Sequence, residues 1–416
     1  PGLASLPNDS GSRDTMSNIA LPQPILERLP ARKPRAACTL GIIGGGQLAR
    51  MLAQSALQFG CEIVVLERND HSPASHLARE TVIGDWDNPD SLLKLGAMVD
   101  VVTLENEFVD AGSLQALEQF GHLLRPAAST IQIVQDKLIQ KRALSDAGLP
   151  VARFESAPDK ASVLFAAKQF GWPLILKKRR NGYDGKGNAT LHSPADLEHA
   201  WERLGGHHQA LLVEQFCPFT TELAMMIVRG SDGSLADYPL VETIQRDHIC
   251  HAVKAPAPVP APLAARAAEI ARRAVETVGG IGAMGVEMFL TRDGEILVNE
   301  LAPRVHNSGH YTIEACVCSQ FENHVRAVLG WPLGSAALRA PAAVMLNLLG
   351  AGKGPGTPGG LSEALSVPGA HVHVYGKSAS APGRKMGHVT ALGQTLEEAL
   401  TIAQRAAAHI RFGGEA

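Results

Sequence analysis

Cysteine is scarce in this chain of 416 residues, and the six that occur, Cys38, Cys61, Cys217, Cys250, Cys316 and Cys318, are scattered. Their only close pair is separated by a single residue, which matches neither a CxxC redox motif nor a zinc spacing. The pattern is that of reduced, buried thiols in a cytosolic protein. Long hydrophobic runs are missing too: no apolar stretch approaches the roughly 18 residues of a membrane span, and no signal-peptide core stands near the N-terminus. Neither sign of charge dominates, with 38 Lys and Arg against 41 Asp and Glu. A net charge of -3 excludes a general pull toward nucleic acid or anionic membrane, so any anionic ligand must be met by a local basic cluster. No internal repeat is visible.

What is present reads as several units. About 150 residues per domain predicts two or three domains. Residues 1–37, rich in Pro, Ser, Asn and Arg without periodicity, are expected to be a disordered tail or a leader before Met16. From Cys38 the pattern runs strand (Thr39 to Ile43), glycine turn (Gly44 to Gly46), helix (Gln47 to Phe59) and strand (Glu62 to Leu66). A helical pattern at Pro89 to Leu95 then leads to a buried strand at Val99 to Leu104. Such alternation predicts a Rossmann-like parallel sheet over 38–137. A second, α+β unit is expected over 138–340. It opens with a helix (Leu138 to Ala147) and includes a lid at about 150–215, in which two short strands flank the turn RRNGYDGKGN. A small, mostly β unit ending in the helix Leu396 to His409 should occupy 341–416. The class is therefore α/β, with an α+β central part.

Two clusters carry chemistry. Asn299 to His310 reads NELAPRVHNSGH after the apolar run Ile296 to Val298. Pro303 and Gly309 rule out a regular helix, so these polar groups are expected on a loop following a strand that ends there. The second cluster suits a nucleotide. Lys137 and Lys177 are point charges for phosphates. Gly182, Gly185 and Gly187 let backbone N–H groups approach phosphate oxygens. Glu214 and Glu222, at consecutive strand ends, could accept from an adenine amine and ribose hydroxyls. Glu287 and Glu300, on neighbouring strands, are the carboxylate pair that magnesium prefers beside substrate phosphates. A competing reading starts from GxGxxA (Gly44, Gly46, Ala49) with Glu67 ending the next strand, which would suit NAD in a dehydrogenase, but it leaves NELAPRVHNSGH without a role. His306 and His310 stand four apart, yet without a helix or a HExxH glutamate they make no zinc site. A catalytically dead scaffold would require loss of a magnesium carboxylate, and both are present.

GIIGGGQLARM, KKRRNGYDGKG, VEQF followed by Glu222, and NELAPRVHNSGH together resemble the ATP-grasp carboxylate-amine ligases. The likeness is greatest to the 5-(carboxyamino)imidazole ribonucleotide synthases of purine biosynthesis, from about Leu40 to about Val389. The resemblance implies carboxylation of 5-aminoimidazole ribonucleotide with bicarbonate through carboxyphosphate, using ATP and Mg2+, which Mn2+ could replace. It implies that Lys137 and Lys177 hold phosphates beneath a loop of Gly182, Tyr183, Asp184, Gly185, Lys186, Gly187 and Asn188. Glu214, Gln215, Phe216 and Cys217 would border adenine, and Glu222 would take the ribose. Gln245 stands near the nucleotide where some relatives have His. Glu287 and Glu300 would carry the metal beside Asn299. Arg304 would grip bicarbonate bidentately, with His306, Asn307 and Ser308 completing the catalytic loop. Tyr183, Asp184 and Glu105 would face the imidazole ribonucleotide. Its phosphate would meet Gly46, Gln47 and Leu48 together with Lys377 and Arg384. A cytoplasmic homodimer follows by the same resemblance.

Overall fold

The protein is described by a computed structural model over residues 38–182 and 187–413. The expected disordered tail at 1–37 and the loop residues Tyr183, Asp184, Gly185 and Lys186 lie outside the described residues.

The chain starts with β1 (Thr39–Ile43), every residue of which is buried, and turns at Gly44, whose φ of +91° only glycine adopts readily. Helix α1 (Gln47–Leu57) then buries Leu48, Ala49, Leu52, Ala53 and Ala56, the stripe expected of a helix lying on a sheet. β2 (Glu62–Glu67), β3 (Glu80–Ile83), α2 (Pro89–Gly96), β4 (Val101–Leu104), α3 (Ala111–Gln119) and α4 (Ala128–Val134) complete the unit. The sheet order is β3-β2-β1-β4, and its pairings are parallel. The Rossmann-like expectation is met, although β4 begins at Val101 rather than Val99.

Next come α5 (Lys137–Asp146), capped by Asp136, then β5 (Phe154–Ala157), α6 (Lys160–Phe170), β6 (Leu174–Lys178), β7 (Asn188–Leu191), α7 (Leu197–Arg203) and β8 (Leu211–Gln215). The four strands pair antiparallel in the order β5-β8-β6-β7 over their own apolar core. Between β6 and β7, a Cβ on Gly187 would lie 2.5 Å from the Gly182 Cα, so the backbones of these two glycines approach closely and Gly187 must lack a side chain.

The central sheet starts with β9 (Phe219–Arg229), β10 (Leu235–Asp237), β11 (Val241–Arg246) and β12 (Ile249–Ala255). Helix α8 (Ala261–Val278) covers one face through Ala267, Ile270, Ala271, Ala274, Val275 and Val278, and stops at Gly279 with φ +66°. The alanine-rich stretch after the Pro-rich connector Ala255 to Pro262 predicts a helix from Leu263 to Val278; the helix starts two residues earlier, with Pro262 in its first turn, where a missing N–H costs nothing. β13 (Gly282–Thr291), β14 (Ile296–Ala302), α9 (Thr312–Ala315) and α10 (Gln320–Leu329) follow. Here two expectations fail. β14 does not end at Val298 but runs on to Ala302, so Asn299 and Glu300 are strand residues. Glu222 lies inside β9 rather than opening it. Their polar side chains suggest loop, whereas β14 and β9 flank β13 and pair with it, which keeps both strands extended.

The last segment contributes β15 (Ala342–Leu349), β16 (Gly354–Pro355), α11 (Leu361–Leu365), β17 (Ala370–Val374), β18 (Ala379–Ser380), β19 (Lys385–Gly393) and α12 (Leu396–Ala407). It is mostly strand, as expected, but β15 pairs with β12. One sheet therefore runs β14-β13-β9-β11-β12-β15-β19-β17. The C-terminal strands thereby reach the groups on β13 and β14. Among the described residues, no helix is long and apolar enough to cross a membrane.

Candidate active site

Glu287 and Glu300 face each other across the β13/β14 pair, and the next pair is Met288 with Val298, which leaves Asn299 as an extra residue in a bulge. Like charges directly opposite destabilise a sheet. Burial, then Glu300 and Glu222, push the Glu287 carboxyl up to about 8. Burial also opposes ionisation of Glu300, but the ammonium of Lys137, which is ion-paired to Glu300, holds it below the usual carboxylate range. Two hard carboxylates with a carboxamide beside them form a donor set suited to a divalent cation completed by phosphate oxygens. Among the described residues, no group of three or more His, Cys, Asp or Glu is arranged to hold a metal ion.

A layer of lysines stands next to this pair. Asp136 caps α5 by accepting from Leu138 N and Ile139 N at 3.1 and 3.4 Å, and it also receives the guanidinium of Arg179. Burial works against its ionisation, yet Arg179 holds its carboxyl low. The cap sets the first turn of α5, and Lys137 and Lys141 share one face at i and i+4. Glu214 is buried between two cations, with Lys177 Nζ at 2.9 Å and Lys141 Nζ at 3.4 Å. Its side chain is thus the counter-ion shared by Lys177 and Lys141. Lys177 Nζ also lies 3.5 Å from Asn299 Oδ1. Asn188 pairs with Lys177 at the base of the lid turn. Gln215, Phe216 and Cys217 line a cavity of about 150 Å³ with Ala152, Pro218, Thr291 and Leu297. Glu222 receives a hydrogen bond from Gln245, and burial raises its pKa.

At the first glycine turn three backbone donors are already taken. Gly46 N and Ala49 N donate to Glu105 at 2.6 and 3.0 Å, and Gly45 N donates to Glu67 at 2.8 Å. A pyrophosphate cannot share this seat with two carboxylates, and Glu67 is turned inward rather than toward a ribose, so the dinucleotide reading fails. Of the three residues expected to meet the substrate phosphate, Gly46 has its N–H on Glu105, while Gln47 and Leu48 open α1. Burial raises the pKa of Glu105, with Glu67 adding to it.

The segment after β14 faces these groups. The Nε and Nη2 groups of Arg304 hold Glu107 from the β4–α3 loop, and Nη1 donates to Val305 O at 3.2 Å. Burial disfavours a charged Arg304, but Glu107 keeps its pKa raised. The expected fork is therefore closed on Glu107, leaving two of its five N–H groups for an anion. His306 lies with Nε2 3.4 Å from Glu287 Oε1 and Nδ1 2.9 Å from Ser308 Oγ. Burial, followed by Arg304 and Lys385, puts its pKa well below the ordinary histidine value. Asn307 exchanges two amide hydrogen bonds with Asn347 of β15, at 2.9 and 2.7 Å. Lys377 Nζ donates to Lys385 O at 2.7 Å, while Arg384 turns to Ala379 O at 2.5 Å on the surface.

Several partners escaped the sequence reading: Glu107, Lys141, Lys385, Asn347 and Gln320. Lys141 alone had a local signal, its spacing of four from Lys137.

Three family models match successive parts of the chain: a ribonucleotide synthetase preATP-grasp domain over residues 37–135, an ATP-grasp domain over 142–321, and a phosphoribosylaminoimidazole carboxylase C-terminal domain over 343–401. An N5-carboxyaminoimidazole ribonucleotide synthase of Synechococcus elongatus is 44% identical over 352 residues, covering 84% of this chain and 88% of the relative. A phosphoribosylaminoimidazole carboxylase of Schizosaccharomyces pombe is 40% identical over 86% of this chain, which spans only 66% of that longer protein. Among solved structures, an N5-carboxyaminoimidazole synthase from Aspergillus clavatus in complex with ADP and 5-aminoimidazole ribonucleotide superimposes with a TM-score of 0.82. It is 36% identical and covers 89% of this chain and 98% of its own.

Proposed function

Because the chain belongs to the N5-carboxyaminoimidazole ribonucleotide synthases, a family of ATP-grasp ligases, we propose a division of their reaction among its residues. The activity is ATP-dependent carboxylation of 5-aminoimidazole ribonucleotide in purine biosynthesis, with ADP and phosphate released. The observation that carries the division is the seam at β14: the Glu287–Glu300 pair and the lysine layer on one side, the Arg304 to Ser308 segment on the other.

Lys137 and Lys177 take the ATP phosphates, exchanging their present partners Glu300 and Glu214 for phosphate oxygens. To the glycine-rich segment from Gly182 to Asn188, of which Tyr183, Asp184, Gly185 and Lys186 lie outside the described residues, falls the task of excluding water from a short-lived acyl phosphate. Gln215, Phe216 and Cys217 border adenine, and Glu222 with Gln245 takes the ribose. Glu287, Glu300 and Asn299 fit Mg2+, or Mn2+ in its place. Bound there, the ion neutralises charge on the transferring phosphoryl group. Bicarbonate oxygen attacks the γ-phosphorus to give carboxyphosphate, held by the remaining N–H groups of Arg304. His306, neutral at physiological pH, orients the carboxyl group with Asn307 and Ser308 behind it. The amine of the imidazole ribonucleotide then attacks the carboxyl carbon, phosphate leaves, and the nitrogen loses a proton. To Glu105, Lys377 and Arg384 we assign the binding of this acceptor. We place the enzyme in the cytoplasm as a homodimer, which light scattering checks as a mass near twice 44.0 kDa.

Phosphate release should require ATP, bicarbonate and 5-aminoimidazole ribonucleotide together. Release indifferent to the imidazole nucleotide would overturn the division while leaving an ATP-grasp enzyme.

A further inference from the structure

Gln320, the first residue of α10, is fully buried, touches no charged group of the site, and has no part in the reaction described above. Its amide nevertheless grips the turn that carries His306. Oε1 accepts from His306 N at 2.9 Å, and Nε2 donates to His306 O at 2.8 Å and reaches His310 Nδ1 at 3.1 Å. With both donors and one acceptor site used, the side chain has one arrangement that satisfies it. A second contact runs in parallel: Gln320 N donates to Thr312 Oγ1 at 2.9 Å, and that hydroxyl donates to Gly309 O at 2.6 Å.

Two glycines clear the space. A Cβ on Gly309 would stand 2.6 Å from Gln320 Oε1, and one on Gly285 would stand 2.9 Å from the His306 Cβ. The turn is therefore pressed between β13 on one side and the α10 amide on the other. The His306 C=O also accepts from Gly309 N at 3.0 Å, but the His306 N–H has Gln320 Oε1 as its acceptor, so the grip and the backbone position are one feature.

We propose that Gln320 is a positioning residue: it fixes the His306 to Gly309 turn so that ATP cleavage stays coupled to carboxyl transfer. The inference rests on the division of labour given above, in which His306 orients the carboxyl group. It assigns the coupling to an amide that itself meets no substrate. A shift of the turn by about 1 Å would leave the lysine layer and ATP binding intact but misplace the carboxyl group, for which a loss of ~10- to 100-fold is expected.

The test compares wild type with Gln320→Glu, which keeps the volume but replaces the amide donor by an acceptor, and with Gly309→Ala, which pushes on the same amide from the turn. Phosphate release and N-carboxylated product are measured separately, with ATP varied at saturating bicarbonate and 5-aminoimidazole ribonucleotide. Folded fraction is read by circular dichroism. The expected result is an ATP KM within about twofold of wild type, a kcat for product down ~10- to 100-fold, and less than one product per phosphate released. Wild-type coupling in both folded variants overturns the proposal. So does a loss of activity that merely follows the folded fraction. A wild-type enzyme whose phosphate release ignores the imidazole nucleotide would instead overturn the underlying division, because the variants are read only as ratios to it.

Discussion

Replacing Arg304 with lysine keeps the positive charge and removes the planar fork. In the structure the guanidinium makes two contacts to Glu107 and one to Val305 O, and only two N–H groups remain for bicarbonate or its phosphorylated form. A lysine ammonium at this half-buried position can hold Glu107 or an anion, but not both in one plane. The variant therefore forfeits about one charge-assisted hydrogen bond to the transferring group, on the order of 2–3 kcal/mol. At 1.36 kcal/mol per decade this is a fall of roughly 30- to 150-fold in kcat/KM for bicarbonate. The assay is phosphate release against bicarbonate concentration at saturating ATP and 5-aminoimidazole ribonucleotide, with the ATP KM as internal control. A variant within about threefold of wild type would refute both the fork and the assignment of Arg304 to the carboxyl group.

Glu300→Gln removes half of the facing carboxylate pair without changing volume. It should abolish turnover, flatten the dependence on Mg2+ and leave the circular dichroism spectrum unchanged; near-normal rates would refute the metal assignment. His324, wholly buried with its ring between Thr103 Oγ1 and Ala283 N, has its pKa lowered by burial to about 4. The folded state thus keeps it neutral while the unfolded chain takes up a proton below pH 6.5. Stability present above pH 6.5 is lost as the pH falls toward 4, by about 3 kcal/mol from this residue. His324→Leu should be less stable at pH 7.5, because the Ala283 N–H loses its acceptor, yet its urea midpoint should fall less steeply between pH 7.5 and 5. Parallel midpoint curves for the two proteins would contradict this.

The first unit could be read from sequence because its signals are local: an apolar strand, a glycine turn, a helix with an apolar stripe, a second strand. α8 was legible for the same reason. The catalytic strand was misjudged because Asn299 and Glu300 are polar, and pairing to β13 is not written in their neighbours. β11 and β12 went unread. So did the pairing of β12 with β15, which carries Lys385 and Asn347 toward the site across about a hundred residues of chain. Glu105 was found, but its task as the seat of the α1 turn was not. Glu107 and Gln320 lie far in sequence from the residues they hold, Arg304 and His306, and no spacing announces them. The motifs named the candidate groups; the residues that hold those groups are visible only once the sheet and α10 are assembled.

The claim at the centre is that β14 separates phosphorylation of bicarbonate from transfer of its carboxyl group. Turnover with 18O-labelled bicarbonate and unlabelled ATP tests it most directly, with the inorganic phosphate read by mass spectrometry. Attack of a bicarbonate oxygen on the γ-phosphorus predicts one 18O atom in each phosphate released by wild type. Phosphate carrying no label would mean that water, not bicarbonate, receives the phosphoryl group, and the account of Glu287, Glu300 and Arg304 would not stand.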